Sequence, residues 1–221
     1  MGIVILLIIL AYFFPILLMP LVLFAGLFLL FLPIKFTVDS LFNLFSVPGQ
    51  IYQIATNPDL RKNHALEHAT VNVLEQEYGY KNLAGYATNE GFYVMGSNNT
   101  IEIKSAARRG LALMKNGKSN LAIHNHCGTS IIVANFISAI IFLLLLFYSG
   151  HFSIFYMIIA ILLSHLLGPY FGKIVQQYFT TTPEVDEMEI VDTSFDTDNN
   201  VWKQPSKVFV KTTKIPYIDS K

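Results

Sequence analysis

Between residues 2 and 34 there is no Asp, Glu, Lys or Arg, and there is none between 119 and 172. Charge-free stretches of that length do not make the surface of a water-soluble domain. Within the second, residues 131–148 and 152–167 are apolar runs of about the length a bilayer core requires, roughly 17–25 residues. Ser149-Gly150-His151 between them is too short for anything but a turn, so the two runs form a hairpin that returns the chain to the side it left. Residues 35–130 and 173–221 then share one compartment. All fifteen Lys and Arg lie in those two regions, which makes that compartment the cytoplasm by the positive-inside rule.

The expected architecture is an integral membrane, mainly α-helical protein. It has about three transmembrane spans and a small α+β cytoplasmic domain between the first and second. Residues 1–34 form the N-terminal transmembrane segment, kinked or re-entrant because Pro15, Pro20 and Pro33 interrupt it, with one kinked span preferred. The first Lys is Lys35, so no basic residue precedes the apolar run and a cleaved signal peptide is not expected. Residues 35–130 form the cytoplasmic metal-binding domain, 131–169 the transmembrane hairpin, and 170–221 a cytoplasmic tail that contributes to the site. Fifteen acidic residues balance the fifteen basic ones, which gives no electrostatic case for nucleic acid. The single cysteine, Cys127, excludes an internal disulfide.

Residues 36–52 read as an amphipathic connector on the membrane surface, ended by Pro48-Gly49. Thr56 or Asn57 caps a helix over 59–78, with Pro58 at its first position and Gly79 as its stop. Residues 91–96 and 100–104 read as a β-hairpin around Ser97-Asn98-Asn99. A helix follows over 105–116, ended by Gly117. In the tail, Glu184 to Glu189 is an acidic surface run and Val208-Phe209-Val210 a strand. The last thirty residues are expected to be partly without fixed structure.

The chemistry lies in His64-Ala65-Leu66-Glu67-His68. Residues four apart share one face of a helix at about 6 Å, so His64 and His68 can offer both imidazoles to one ion, with Glu67 on the adjoining edge. This is the inverted zinc-peptidase pattern H-x-x-E-H, in which the His pair binds Zn²⁺ and the Glu acts as general base. Solvated His pairs on a helix surface are common, so the remaining His and Cys decide. His124, His126 and Cys127 crowd into four positions just ahead of a membrane run, in a chain with six His and one Cys. They are candidate ligands. Glu75 shares the helix face of His64 but lies about 10 Å beyond His68 along the axis, which removes it as a ligand. His151 sits in a loop. His165 lies inside the last span, where an ionisable residue is a functional candidate and a neutral His bonded to a neighbouring helix is the commoner case.

At these residues the chain resembles the YqhQ-like group of bacterial membrane proteins. The likeness rests on the H-x-x-E-H helix at 64–68, on His124-Asn125-His126-Cys127-Gly128-Thr129-Ser130, and on the Thr-Thr, Pro, acidic and Met-Glu-Ile sequence over 180–190. Gly85-Tyr86-Ala87 and Gly91-Phe92 also match. The resemblance implies His64, Glu67, His68, His124, Cys127 and Glu189 as shared polar positions, with His126 where relatives vary, and a location in the bacterial cell membrane. It implies no substrate.

The leading expectation is a zinc-dependent membrane metallohydrolase, a peptidase acting on membrane-associated polypeptides at the cytoplasmic face. It would hold one Zn²⁺ on His64, His68, His124 and Cys127, with Glu189 as a further ligand or an acceptor for a ligand imidazole, and Glu67 as general base. Four protein ligands would instead close the tetrahedron, giving a non-enzymatic scaffold with a structural zinc. A third possibility makes Cys127 a nucleophile with His124 as its base.

Overall fold

The computed structural model describes residues 2–13, 15–125, 127–196 and 207–215. Two helices open the chain, α1 (Gly2–Phe13) and α2 (Pro15–Ala55). Residue 14 between them lies outside the described residues, and the described candidate span in this region is Leu18–Ala55. Helix α1 rises about 18 Å, short of a bilayer core of roughly 30 Å, whereas the 41 residues of α2 rise about 60 Å. Pro20, Pro33 and Pro48 all lie inside α2. The expected surface connector over 36–52 is therefore the continuation of that helix, and Pro48-Gly49 does not end it. Proline removes one backbone hydrogen bond without forcing a stop, and at Pro33 the Thr37 hydroxyl donates to the carbonyl at 2.7 Å.

Helix α3 (Pro58–Glu77) begins as its sequence dictates: Asn57 accepts from the Leu60 N–H through its side chain at 3.1 Å, and Pro58 follows. Gly79 ends it with φ at +74°, and the Tyr80 N–H returns to the Leu74 carbonyl. Strands β1 (Ala84–Thr88) and β2 (Gly91–Met95) form a hairpin around Asn89-Glu90. The expected strand over 100–104 is the first turn of helix α4 (Thr100–Lys115). Asn99 caps that helix by accepting from the Glu102 N–H at 3.2 Å, so Ser97-Asn98-Asn99 leads into a helix and is not the turn of a hairpin. Ile103 is buried and Ile101 exposed.

After a 3₁₀ turn (Ser119–Ala122) come α5 (Gly128–Ser149) and α6 (Ile154–Val175), joined by a turn with Gly150 at φ +72°. They pack closely because small residues face each other: a Cβ on Gly172 would stand 2.8 Å from the Ser130 Cα, and one on Gly168 3.1 Å from the Ala134 Cα. Helix α2 leans on the pair, with the Phe36 ring edge-on to Phe142 at 4.8 Å. Among the described residues three helices are long and apolar enough to cross a membrane, over Leu18–Ala55, Gly128–Ser149 and Ile154–Thr180. Their outer faces expose large apolar side chains such as Phe28, Leu144, Phe147 and Leu166, a surface that fits lipid and not water.

Strands β3 (Met188–Asp196) and β4 (Lys207–Lys214) complete an antiparallel sheet of order β1-β2-β4-β3. The tail expected to be partly unstructured supplies a central strand, with Val208 and Val210 fully buried against Phe92, Val94 and the apolar faces of α3 and α4. Residues 197–206 and 216–221, also within that stretch, lie outside the described residues. Gly110 lets α4 approach α3, since a Cβ there would stand 3.0 Å from the Ala69 backbone. Residues from both sides of the helical hairpin therefore build one α+β layer, with α3 in its middle.

Candidate metal centre

Nine consecutive residues of α3, Asn63 to Val71, are buried. A helix enclosed on all sides must satisfy its polar side chains internally, and each of the two histidines bonds a backbone carbonyl through Nδ1. His64 Nδ1–H donates to the Thr180 carbonyl at 3.0 Å, and His68 Nδ1–H to the Ala122 carbonyl at 2.7 Å. Both Nε2 atoms are left as lone-pair donors on the same side. The Cys127 thiol donates to His64 Nε2 at 3.3 Å. His68 Nε2 is buried with no hydrogen-bond partner among the described residues. One imidazole nitrogen from each of His64 and His68 and the Cys127 sulfur lie within 4.8 Å of one another, so the three residues can hold one metal ion. Backbone carbonyls that fix the tautomer and orient the ring are the usual outer partners of ligating imidazoles.

The acceptors are themselves anchored. Thr180 ends a π-helical turn (Gln176–Thr180), a geometry often found at functional places. Arg61 holds that turn to α3 by donating to the Thr181 carbonyl at 2.8 Å. Asn72, one turn beyond His68, donates to the carbonyls of Leu121 and Ile123 at 3.1 Å and thereby sets Ala122. Fully buried Gln176 accepts from the His124 N–H at 3.0 Å and donates to the Ser130 hydroxyl at 2.9 Å, fixing the segment that carries Cys127. Cys127 is also the N-cap of α5, accepting from the Thr129 N–H at 3.3 Å.

Glu67 lies against this trio, its carboxylate 3.8 Å from His64 Nε2 and 3.7 Å from His68 Nε2. Strand β1 passes directly over it. A Cβ on Gly85 would stand 2.8 Å from the Glu67 Cδ and 2.6 Å from the Tyr93 carbonyl oxygen, so only glycine allows the approach.

Burial pushes the Glu67 carboxyl up to about 8 and lowers both histidines, His68 further because His64 also opposes its charge. Burial also pushes the Cys127 thiol up, with the Thr129 hydrogen bond opposing. Without an ion the cluster is neutral, and the Glu67 contacts to the imidazoles are not ion pairs. A dication would reverse this logic, favouring thiolate and carboxylate.

A raised folded-state pKa makes the Glu67 contribution fully present below its ordinary value of 4.5 and lost as pH rises through about 8. For metal-stripped protein, Glu67→Gln should therefore overtake the wild type in thermal stability across that window, by up to roughly 5 kcal/mol at its alkaline end. The histidine contributions, lost as pH falls below 6.5, are common to both proteins and cancel. Parallel curves of unfolding midpoint against pH in detergent would count against the buried, protonated carboxyl.

The other expected site residues stand apart. His124 is buried, but its Nε2 pairs with Glu75 at 3.2 Å and it is not in the trio, its ring 6.0 Å from that of His68. Glu75, set aside as a ligand, is thus the partner of His124. Glu189 is exposed on β3, between buried Met188 and Ile190, and the pleat turns it away from the cluster. His126 lies outside the described residues. His151 stays in the turn between α5 and α6, its Nδ1 bonded to the Ser149 carbonyl. Arg61, Asn72, Gln176, the close approach at Gly85 and the carbonyls of Ala122 and Thr180 were not anticipated. Asn72 carried a signal, since it continues the stripe 64, 68, 72.

Residues 59–193 match the family described as a domain of unknown function, DUF6391, and the chain belongs to that family. The matched span runs from the first turn of α3 into β3 and contains the whole cluster. An uncharacterised protein of Picosynechococcus sp. is 35% identical over 89 residues, covering 36% of this chain and 43% of that protein's own length. No solved structure matches.

Proposed function

We propose that this DUF6391 member is a zinc-dependent hydrolase of the bacterial cell membrane. More finely, it is a peptidase acting on membrane-associated polypeptides at the cytoplasmic face, with His64, His68 and Cys127 as ligands and Glu67 as general base. One observation carries this reading: two carbonyl-oriented imidazoles and a thiol converge on a common point, with a buried carboxyl 3.7–3.8 Å from both imidazole nitrogens. Three protein ligands are the number that catalytic zinc sites use, and four the number of structural ones. Zn²⁺ held there supplies a Lewis acid that polarises a carbonyl and acidifies water.

The chain's own groups supply the rest. Glu67 takes a proton from the attacking water and returns it to the leaving amine, a role that requires a carboxyl near the reacting atoms with a pKa near the working pH. Gly85 keeps that carboxyl beside the imidazoles. Thr180 and Ala122 hold the rings so that Nε2, and not Nδ1, faces the reaction. The likeness to the YqhQ-like group accords with this, since two of its three blocks contain the four residues concerned.

The test is direct. Purified full-length protein should carry one Zn²⁺ per chain and cleave membrane-anchored polypeptides in reconstituted vesicles, with cleavage abolished by a chelator and restored by Zn²⁺. Cleavage that persists in fully metal-depleted protein would sink the reading.

A further inference from the structure

Two adjoining cavities lie along the apolar helices, and the first touches the metal centre at Cys127, whose sulfur is 3.3 Å from His64 Nε2. The first, about 450 Å³, has Asn125 and Cys127 at one end and continues past Ser130 to Asn135, Ser164 and His165 between α5 and α6. The second, about 490 Å³, shares Asn135 and Ser164 with it and adds Asp39 and Asn43 of α2 and Ser138 of α5. Asn135 lies about 10 Å along α5 from Gly128 and Ser138 about 15 Å, half the depth of a hydrocarbon core of roughly 30 Å. Ser138 is buried and its hydroxyl has no hydrogen-bond partner among the described residues. Polar side chains at that depth are costly against lipid and are found where they face a water-filled cavity or a polar ligand.

We propose that these cavities form a hydrated groove through which an unwound segment of a membrane-embedded polypeptide reaches the metal centre from the Cys127 side. The proposal takes its end point from the peptidase reading and narrows the substrate to polypeptides whose cleavable segment lies within the bilayer. The distribution of polar groups selects this occupant. An unwound backbone presents N–H and C=O groups along its whole length, each of which must be satisfied inside the membrane. Asn135 and, about one helical turn deeper, Ser138, Ser164 and His165 supply partners. A lipid carries its polar atoms at one end and needs none of them.

The test uses the full chain with Glu67→Gln in phosphatidylcholine vesicles, carrying Asn135→Cys or His165→Cys, with Leu144→Cys and Leu162→Cys as lipid-facing controls. N-ethylmaleimide modification is located by peptide mass mapping, so Cys127 stays in place. Because the thiolate is the reactive form and needs water, positions 135 and 165 should react at least about tenfold faster than the controls. A synthetic polyleucine peptide of about 25 residues, broken at its centre by Asn-Pro-Gly, should slow them at least about fivefold, and lysophosphatidylcholine should not. Rates equal to the controls overturn the hydrated groove. Fast labelling that the peptide fails to slow, or that lysophosphatidylcholine slows equally, overturns the polypeptide occupant. No step requires cleavage, so this outcome and that of the chelator test are read separately.

Discussion

Glu67→Gln should lower the rate of peptide cleavage by roughly 10²–10⁴-fold, the range for loss of a positioned general base. It should leave metal content unchanged. Gln has nearly the shape of Glu, so the close approach of Gly85 survives, as do the carbonyl bonds that orient His64 and His68. The lost rate corresponds to about 3 to 5 kcal/mol of transition-state stabilisation and should appear in kcat, because the proton moves only during reaction. A rise in KM with kcat preserved would mean that Glu67 binds substrate and does no proton transfer. Equal kcat with metal retained would remove Glu67 as the base altogether. Measuring both constants beside metal content by mass spectrometry separates these outcomes.

That prediction rests on residues that were legible in the sequence, and the reason is local. His64, Glu67 and His68 lie within one helical turn whose start and stop are written by Asn57, Pro58 and Gly79, so helix geometry alone sets their relation. Cys127 was legible as company for a His-rich segment, but its meeting with His64 depends on how α5 and α6 fold back, which no local pattern encodes. His124 was the misleading member. It shares that segment with Cys127, yet the chain is extended beyond the 3₁₀ turn, and His124 turns toward Glu75 instead. Glu189 failed for a different reason: once residues 188–196 pair as a strand, alternate side chains face opposite ways, and burial of Met188 and Ile190 commits Glu189 to solvent. The sheet was half hidden because β4 follows a polar stretch and pairs with β2 across more than a hundred residues. Strand 91–95 was found but given the wrong partner, since Ser97-Asn98-Asn99 reads equally as a hairpin turn and as the entry to a helix capped by Asn99.

Cys127→Ser should weaken zinc binding by roughly 10²–10⁴-fold, whereas His124→Ala should weaken it by less than about tenfold. Structural zinc sites bind with about 10–16 kcal/mol in all, so one ligand among three or four accounts for several kcal/mol. An orienting partner outside the ligand set accounts for about ten- to a hundredfold, and His124 bonds to Glu75 rather than to either ligand imidazole. Serine is the right replacement because it is also a favoured N-cap, so α5 keeps the cap that Cys127 provides through Thr129 and only ligation is lost. If zinc were a closed structural clasp, both substitutions would bind equally poorly and chelation would unfold the domain. The catalytic reading expects otherwise, because the core of α3, α4 and the sheet is made of apolar side chains other than those of the cluster. An ion present at a thousand times its Kd adds about 4 kcal/mol, so stripping it should lower the unfolding midpoint by roughly 10 °C and leave a cooperative transition. Calorimetric titration of Zn²⁺ into the three proteins, followed by thermal unfolding with and without chelator, decides the matter. Equal losses for Cys127→Ser and His124→Ala, with loss of the cooperative transition on chelation, would make the centre structural and leave Glu67 without a chemical task.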